Sequence, residues 1–202
     1  MRKVSYVPEA VDQLKIWNEP PMWKVEGQDL LVRSAGESDF WLKTHYGFEV
    51  MNGHVFYDEY DTDFTAEVSL SINPESTYDQ AGLFVMLSEN CWLKTSLEYI
   101  PEGPSHLGAV VTNNGYSDWS TRNYPNDLNT ERLAFRIERR NDDYTIYAAT
   151  SQSDGKWEQL RIAHLHAEEP GKSVQIGLYC CSPTPNNGCE TRFHSFTVEC
   201  EN

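Results

Sequence analysis

Trp92, Lys94, Ser96 and Glu98 occupy alternate positions of the stretch Trp92-Leu93-Lys94-Thr95-Ser96-Leu97-Glu98-Tyr99. A strand sends successive side chains to opposite faces, so these four share one face while Leu93, Thr95, Leu97 and Tyr99 share the other. The second set suits a core. The first places an aromatic ring, an ammonium, a hydroxyl and a carboxylate in a row, which is the chemistry with which a sheet face grips a polar ligand. At about 3.3 Å per residue, Lys94 and Glu98 stand about 13 Å apart along the strand and cannot neutralise each other directly. Each needs another partner, from a neighbouring strand or from a ligand. The competing reading is a solvated sheet face, ordered by an ion network of Lys94, Glu98 and Arg136, with Trp119 merely plugging the edge of the fold.

Other chemistries fit less well. Glycoside hydrolysis needs two carboxylates flanking the bond, about 5–5.5 Å apart for retention or about 6.5–9.5 Å for inversion. Glu98 supplies one, and its strand offers no second acid on that face; Asp79 or Asp118 would have to complete the pair. Glu59, Asp61 and Asp63 have alternating spacing, but they precede the regular strand that begins at Phe64 and read as a solvated turn. Cys91 alternates with the core set, where a thiol is inert. His45, His54 and His106 are isolated in the sequence, so no base is paired with a nucleophile. His164-Leu165-His166 would put two imidazoles on one strand face, a conceivable metal pair that reads better as solvated surface, and the cysteines lack paired CxxC spacing. No glycine-rich loop opens a helix. Neither a metal nor a cofactor is expected.

Composition narrows the partners. Sixteen Lys and Arg against thirty-one Asp and Glu give a net charge of −15, which repels nucleic acid and anionic membrane surfaces. Six Trp and eleven Tyr suit strands and equally suit stacking on sugars. The five cysteines (Cys91, Cys180, Cys181, Cys189, Cys200) are odd in number in a chain too large to need stapling, and read as thiols. No apolar run of signal-peptide length follows the basic pair at Arg2-Lys3, so a cytoplasmic location is expected; no stretch approaches the length of a membrane span.

The elements that must position the site are strands. Residues 64–72 alternate cleanly, with Phe64, Ala66, Val68, Leu70 and Ile72 on one side. Leu83 to Leu87 form an apolar run expected of a central strand. Leu133, Phe135 and Ile137 alternate with Arg132, Ala134 and Arg136, and a turn at Arg140-Asn141-Asp142-Asp143 returns the chain as a hairpin. Val174 to Cys181 and Arg192 to Val198 form a last pair. Ile16 to Trp23, with Pro20 and Pro21, reads as an extended lead-in at a sheet edge. About a dozen strands and no amphipathic helix argue for two packed antiparallel sheets. A single domain over 16–202 is expected, preceded by an N-terminal arm over 1–15.

Six motifs in order resemble the DUF1349 family: Asp39-Phe40-Trp41, Tyr78-Asp79-Gln80-Ala81-Gly82, Trp92-Leu93-Lys94 with Glu98, Ser117-Asp118-Trp119-Ser120, Ser153-Asp154-Gly155 before Trp157, and Arg192-Phe193. The likeness runs from about Trp17 to Val198. It implies an all-β fold, a concanavalin A-like jelly-roll sandwich of two curved antiparallel sheets whose concave face in that superfamily binds or cleaves carbohydrate. The family's label often refers to regulation of enolase, and the resemblance implies no established reaction.

Together these readings give a non-catalytic protein that holds a small polar ligand, a sugar or sugar-derived compound, on the concave face. Trp92 and Trp119 stack on it; Lys94, Glu98, Arg136 and Asp118 supply hydrogen bonds; Asp79, Gln80 and Tyr179 line the rim and floor. The alternatives are a glycoside hydrolase using Glu98 with Asp79 or Asp118, and a protein-interaction module regulating an enzyme of carbon metabolism.

Overall fold

The computed structural model describes residues 2–166 and 173–200. Seventeen strands lie among the described residues. The first eight are β1 (Arg2–Val7), β2 (Lys15–Trp17), β3 (Met22–Glu26), β4 (Asp29–Arg33), β5 (Phe40–Trp41), β6 (Val50–Met51), β7 (His54–Tyr60) and β8 (Phe64–Asn73). Then follow β9 (Gln80–Ser88), β10 (Cys91–Glu98), β11 (Ser105–Asn113), β12 (Tyr116–Tyr124), β13 (Leu133–Arg140), β14 (Asp143–Ala149), β15 (Glu158–His164), β16 (Val174–Cys181) and β17 (Glu190–Cys200). The only helical pieces in this set are three single-turn 3₁₀ segments.

The strands form two large antiparallel sheets. One has the order β15-β14-β13-β8-β17-β4-β3 with β1 also paired to β17; the other runs β12-β11-β10-β9-β16-β7-β2. Sequence alternation sets which face of each strand is inside. Phe64, Ala66, Val68, Leu70 and Ile72 of β8 all lie in the main core, opposite Leu83, Val85, Leu93 and Leu97 from the smaller sheet. Burying each such side chain is worth about 1.5–3 kcal/mol, so the inter-sheet layer dominates stability. The expected hairpin is β13-β14, with Asn141 in the left-handed conformation at its turn. The Pro20-Pro21 segment links β2 to β3, the outermost strands of the two sheets, as the missing proline donors require. Glu59, expected in a turn, belongs to the end of β7 and pairs with Lys15 at 3.1 Å.

Residues 2–15, expected as an arm, are woven into the sandwich. β1 zips onto β17, and Tyr6, Val7, Ala10, Val11 and Leu14 enter the main core.

A second apolar cluster sits on the far side of the smaller sheet. The segment 34–53, containing the β5-β6 hairpin, folds over that face, and Phe40, Trp41 and Leu42 pack against Val55, Phe84, Met86, Trp92, Val110, Tyr179 and Cys181. β9 and β10 are therefore covered on both faces, which explains the nearly continuous apolar run of β9 in an antiparallel sheet.

Candidate binding site

The alternation along β10 holds: Leu93 and Leu97 enter the main core, while Trp92, Lys94, Ser96 and Glu98 point to the concave face. That face is not open. Relative exposures of these four are 0%, 3%, 3% and 8%, and the 34–53 segment covers Trp92 through Phe40 and Lys94 through Asp39. Phe40 is the plug, its ring 4.5 Å from Phe84, 6.1 Å from Trp92 and 6.2 Å from Tyr179. Gly53 makes room for it, since a Cβ there would come 2.3 Å from the Phe40 ring. Leu42 anchors the far end of the cap by exchanging hydrogen bonds with Ser117, its N–H donating to Oγ at 3.0 Å and its carbonyl accepting from Ser117 N–H at 3.2 Å.

The partner that Lys94 needed is on this cap. Its Nζ donates to Asp39 Oδ1 at 3.0 Å and stands 5.7 Å from the Tyr179 ring centre. Burial pushes the Lys94 ammonium down, but the acidic groups around it, Asp39 first and then Cys181 and Glu98, together hold it above its usual range. Burial pushes the neighbouring Cys181 thiol far up, so it is inert filling.

Glu98 gains its partners from register. Gln80 lies across one side and His106 across the other. Gln80 Nε2 donates to Glu98 Oε2 at 3.0 Å, and Tyr179 O–H donates to Gln80 Oε1 at 3.1 Å. The second carboxylate oxygen is different. Glu98 Oε1 is buried without a hydrogen-bond partner, as is His106 Nδ1, 3.6 Å away. The His106 ring meets Trp119 edge-on at 5.4 Å. The Glu98 and His106 side chains retain 11% and 28% exposure, so this corner of the covered face reaches solvent.

Trp92, Lys94, Glu98, Gln80, Tyr179 and Trp119 are thus brought together. Three expected members are not. Arg136 alternates as expected but belongs to the other sheet, bonded to Glu67 at 2.6 Å and stacked on Trp157 at 4.2 Å. Asp118 pairs in register with Val111 and Trp119 with Val110, so the two face opposite ways; Asp118 reaches across the sandwich edge to Arg161 at 2.9 Å. Asp79 is fully buried and holds a turn, its carboxylate accepting from Glu75 N–H and Ser76 N–H at 2.8 Å and from the Ser182 hydroxyl. Neither Asp79 nor Asp118 can therefore serve as the second carboxylate for Glu98.

Sequence reasoning missed Asp39 and His106. The turn Pro101-Glu102-Gly103-Pro104 folds β11 back on β10 and sets Glu98 beside His106, so counting across that hairpin would have found the histidine. His54, isolated in the sequence, is buried: Nδ1 meets the Asn18 carbonyl at 2.6 Å and Nε2 accepts from Ala35 N–H at 2.9 Å, while burial lowers its pKa. His164 and His166 do pack, with ring centres 5.0 Å apart, and His164 bonds Asp143 at 2.7 Å; among the described residues no three ligating side chains cluster to hold a metal.

On the outer face of the larger sheet a bulge in β17 aims His194 at Ser71 (Nε2 to Oγ, 3.1 Å) and Asp29 (Nδ1 to Oδ1, 2.9 Å). The line has the order of a nucleophilic triad, but Asp29 is also paired with Arg192 at 3.2 Å, so its charge is compensated by a permanent cation instead of being reserved for an imidazolium. It reads as a strap that seats the bulge.

A cleft of about 750 Å³ opens at the sandwich edge, between β12, β15 and the loop after β5, with Trp41, Tyr46, Tyr116 and Trp119 among its walls.

Two curved antiparallel sheets packed face to face define a concanavalin A-like jelly-roll sandwich. The chain belongs to the family described as protein of unknown function DUF1349, whose model matches residues 16–200. It is 31% identical over 182 residues to Regulation of enolase protein 1 of Saccharomyces cerevisiae, covering 90% of this chain and 86% of that one. A solved structure of a functionally unknown protein from Saccharomyces cerevisiae superposes with a TM-score of 0.82 at 28% identity, over 95% of this chain and 98% of that one. The GH43 protein BlXynB of Bacillus licheniformis shares the fold at TM-score 0.66 and 16% identity, over 91% of this chain and 36% of that chain. Lectin I-B4 of Griffonia simplicifolia, in its metal-free form, does so at TM-score 0.61 and 12% identity over the full length of both.

Proposed function

We propose that the protein binds a small saccharide or sugar-derived ligand, without turning it over, at the solvent-facing corner of the concave face formed by Glu98, His106 and Trp119. The observation that carries this reading is the pair of buried polar atoms without a hydrogen bond, Glu98 Oε1 and His106 Nδ1, in ion-pair range of each other at 3.6 Å beside an indole. An unmet buried polar group costs about 1–3 kcal/mol, so two in one spot favour whatever satisfies them. Ligand hydroxyls both donate and accept, and would serve a carboxylate and an imidazole together while the sugar's apolar face lies on Trp119. Gln80 donates to the carboxylate from behind and is itself held by the Tyr179 hydroxyl.

Binding is favoured over hydrolysis because the acids expected to assist Glu98 are committed elsewhere, and Asp39, which also acts on Lys94, is ion-paired. Calorimetric titration with a panel of neutral mono- and oligosaccharides tests this, alongside an assay for released reducing sugar. Saturable binding without product is expected, with Glu98→Gln weakening it at least about tenfold, the loss of one charged hydrogen bond. Turnover that disappears in Glu98→Gln would replace the binding reading with hydrolysis, and no binding by the native protein would end it. The name of the yeast relative, Regulation of enolase protein 1, supports a regulatory role in carbon metabolism exerted on a partner enzyme, and a cytoplasmic location belongs to the same proposal.

A further inference from the structure

We propose that the site does not stop at Glu98 but continues over Trp119 into the edge cleft, so that the ligand is a neutral oligosaccharide chain and not a single sugar. This rests on the saccharide reading above and extends it. The first observation is the plug. In an unobstructed sandwich of this kind a chain could lie across the middle of the concave face, but here Phe40 fills that path and packs on Phe84, Trp92 and Tyr179. A sugar seated at Glu98 can be extended only along the margin of the sheet.

The second observation is that Trp119 belongs to both places. Its ring meets His106 on the Glu98 side, and it walls the cleft on the other. Tyr116 and Asp118 leave the opposite face of this edge strand from Trp119, so the cleft wraps the sheet margin, and Trp119 and Tyr116 stand about 10 Å apart along the strand, more than the length of one sugar ring. The cleft volume of about 750 Å³ lies within the range of about 300–1,000 Å³ typical of ligand sites.

The third observation is the chemistry of the walls. Tyr46 and Tyr116 are large rings left 52% and 62% exposed, and Tyr46 is held edge-on against Trp41 at 5.2 Å, so it is pre-set. The Asp118–Arg161 pair shares the cleft walls with them, solvent-accessible on the Asp118 side at 73%. Rings interleaved with donors and acceptors match a chain of sugars, whose apolar faces stack while hydroxyl edges hydrogen-bond. The net charge of −15 selects against acidic saccharides and leaves neutral ones.

The probes are neutral glucose-, xylose- and galactose-based saccharides of one to six units, titrated against the native protein, Tyr116→Ala, Tyr46→Ala and Glu98→Gln. For at least one series, native affinity rises with length and then levels off. Tyr116→Ala and Tyr46→Ala each remove about three- to tenfold of the gain, as expected for a lost stacking contact, and leave the monosaccharide affinity unchanged. Glu98→Gln weakens every length. In ¹H–¹⁵N spectra the Trp119 indole N–H shifts with monosaccharide, and the Trp41 indole shifts only with the longer chains. Monosaccharide binding with no dependence on length would overturn the extension while leaving the Glu98 site standing. So would a length gain that survives both tyrosine variants, or an unmoved Trp41 indole. Failure of every saccharide to bind would overturn both.

Discussion

Asp39→Asn isolates the charge that anchors the cap. Asp39 Oδ1 accepts from Phe40 N–H at 2.7 Å and from Lys94 Nζ at 3.0 Å, and an amide oxygen in its place can accept both bonds. The substitution therefore removes little besides the negative charge. Lys94, 3% exposed, is left as a buried ammonium without its counter-ion. Breaking a buried pair costs about 3–5 kcal/mol, and the retained hydrogen bond points to the lower end, about 3 kcal/mol. For a chain of this size that lowers Tm by roughly 6–12 °C. The pH dependence checks the cause. In the native protein the folded pKa of Lys94 is raised, so its contribution is present below the unfolded value of about 10.4 and lost as pH climbs through the folded one. In the variant, burial without Asp39 pulls the folded value down. The unfolded chain then binds more protons between that value and about pH 10.4, and the stability of the variant rises with pH across this window. Urea unfolding of both proteins at pH 7 and pH 9.5 should show the gap narrowing as pH rises. A gap below about 1 kcal/mol at pH 7, or one that stays constant to pH 9.5, would refute the argument that Lys94 is sealed against solvent.

Three other outcomes test different parts of the structure. Gly53→Ala drives a methyl group into the Phe40 ring and should lower stability by about 1–3 kcal/mol in chemical denaturation, whereas an unchanged midpoint would mean the plug is loosely seated. All five cysteines are thiols, so five equivalents should react with a thiol reagent in denaturant without prior reduction; in the native state Cys200 reacts first, because burial pushes Cys180 up to about 12 and Cys189 higher, and recovery of three or fewer would show disulfides. Burial depresses the folded pKa of His54, so its contribution is present above the unfolded value of about 6.5 and lost as pH falls below it. His54→Gln should flatten that acid limb in thermal melts recorded from pH 7 to pH 5, and an unaltered slope would contradict the assignment.

The strand pattern was legible wherever one face alone met the core. β8 alternates in sequence as it does in burial, and β16 matches its expected span. What alternation cannot carry is the identity of the sheet a face belongs to. Arg136 has the right parity but sits on β13, on the opposite side of the sandwich from β10. Nor does parity survive a step of one residue, which is why Asp118 and Trp119, adjacent in sequence, leave opposite faces of β12 and only Trp119 meets His106. The polar row on β10 is legible in the sequence, but its burial is not, because a two-residue strand such as Phe40–Trp41 does not announce which face it will cover. Asp79 was misplaced for a related reason: a carboxylate at a strand end caps turn N–H groups as readily as it faces a ligand. His106 could have been found by pairing residues across the Pro101–Pro104 turn, whereas Asp39 could not, since its contact to Lys94 spans the cap and follows from tertiary packing alone.

The most direct test of the central claim is a crystal structure with the tightest-binding saccharide from the panel. The account predicts a ligand hydroxyl within hydrogen-bond distance of Glu98 Oε1 and His106 Nδ1, a sugar face on Trp119 and an undisturbed Phe40 plug. A saccharide bound elsewhere on the surface, with Glu98 Oε1 and His106 Nδ1 still unmet, would contradict it.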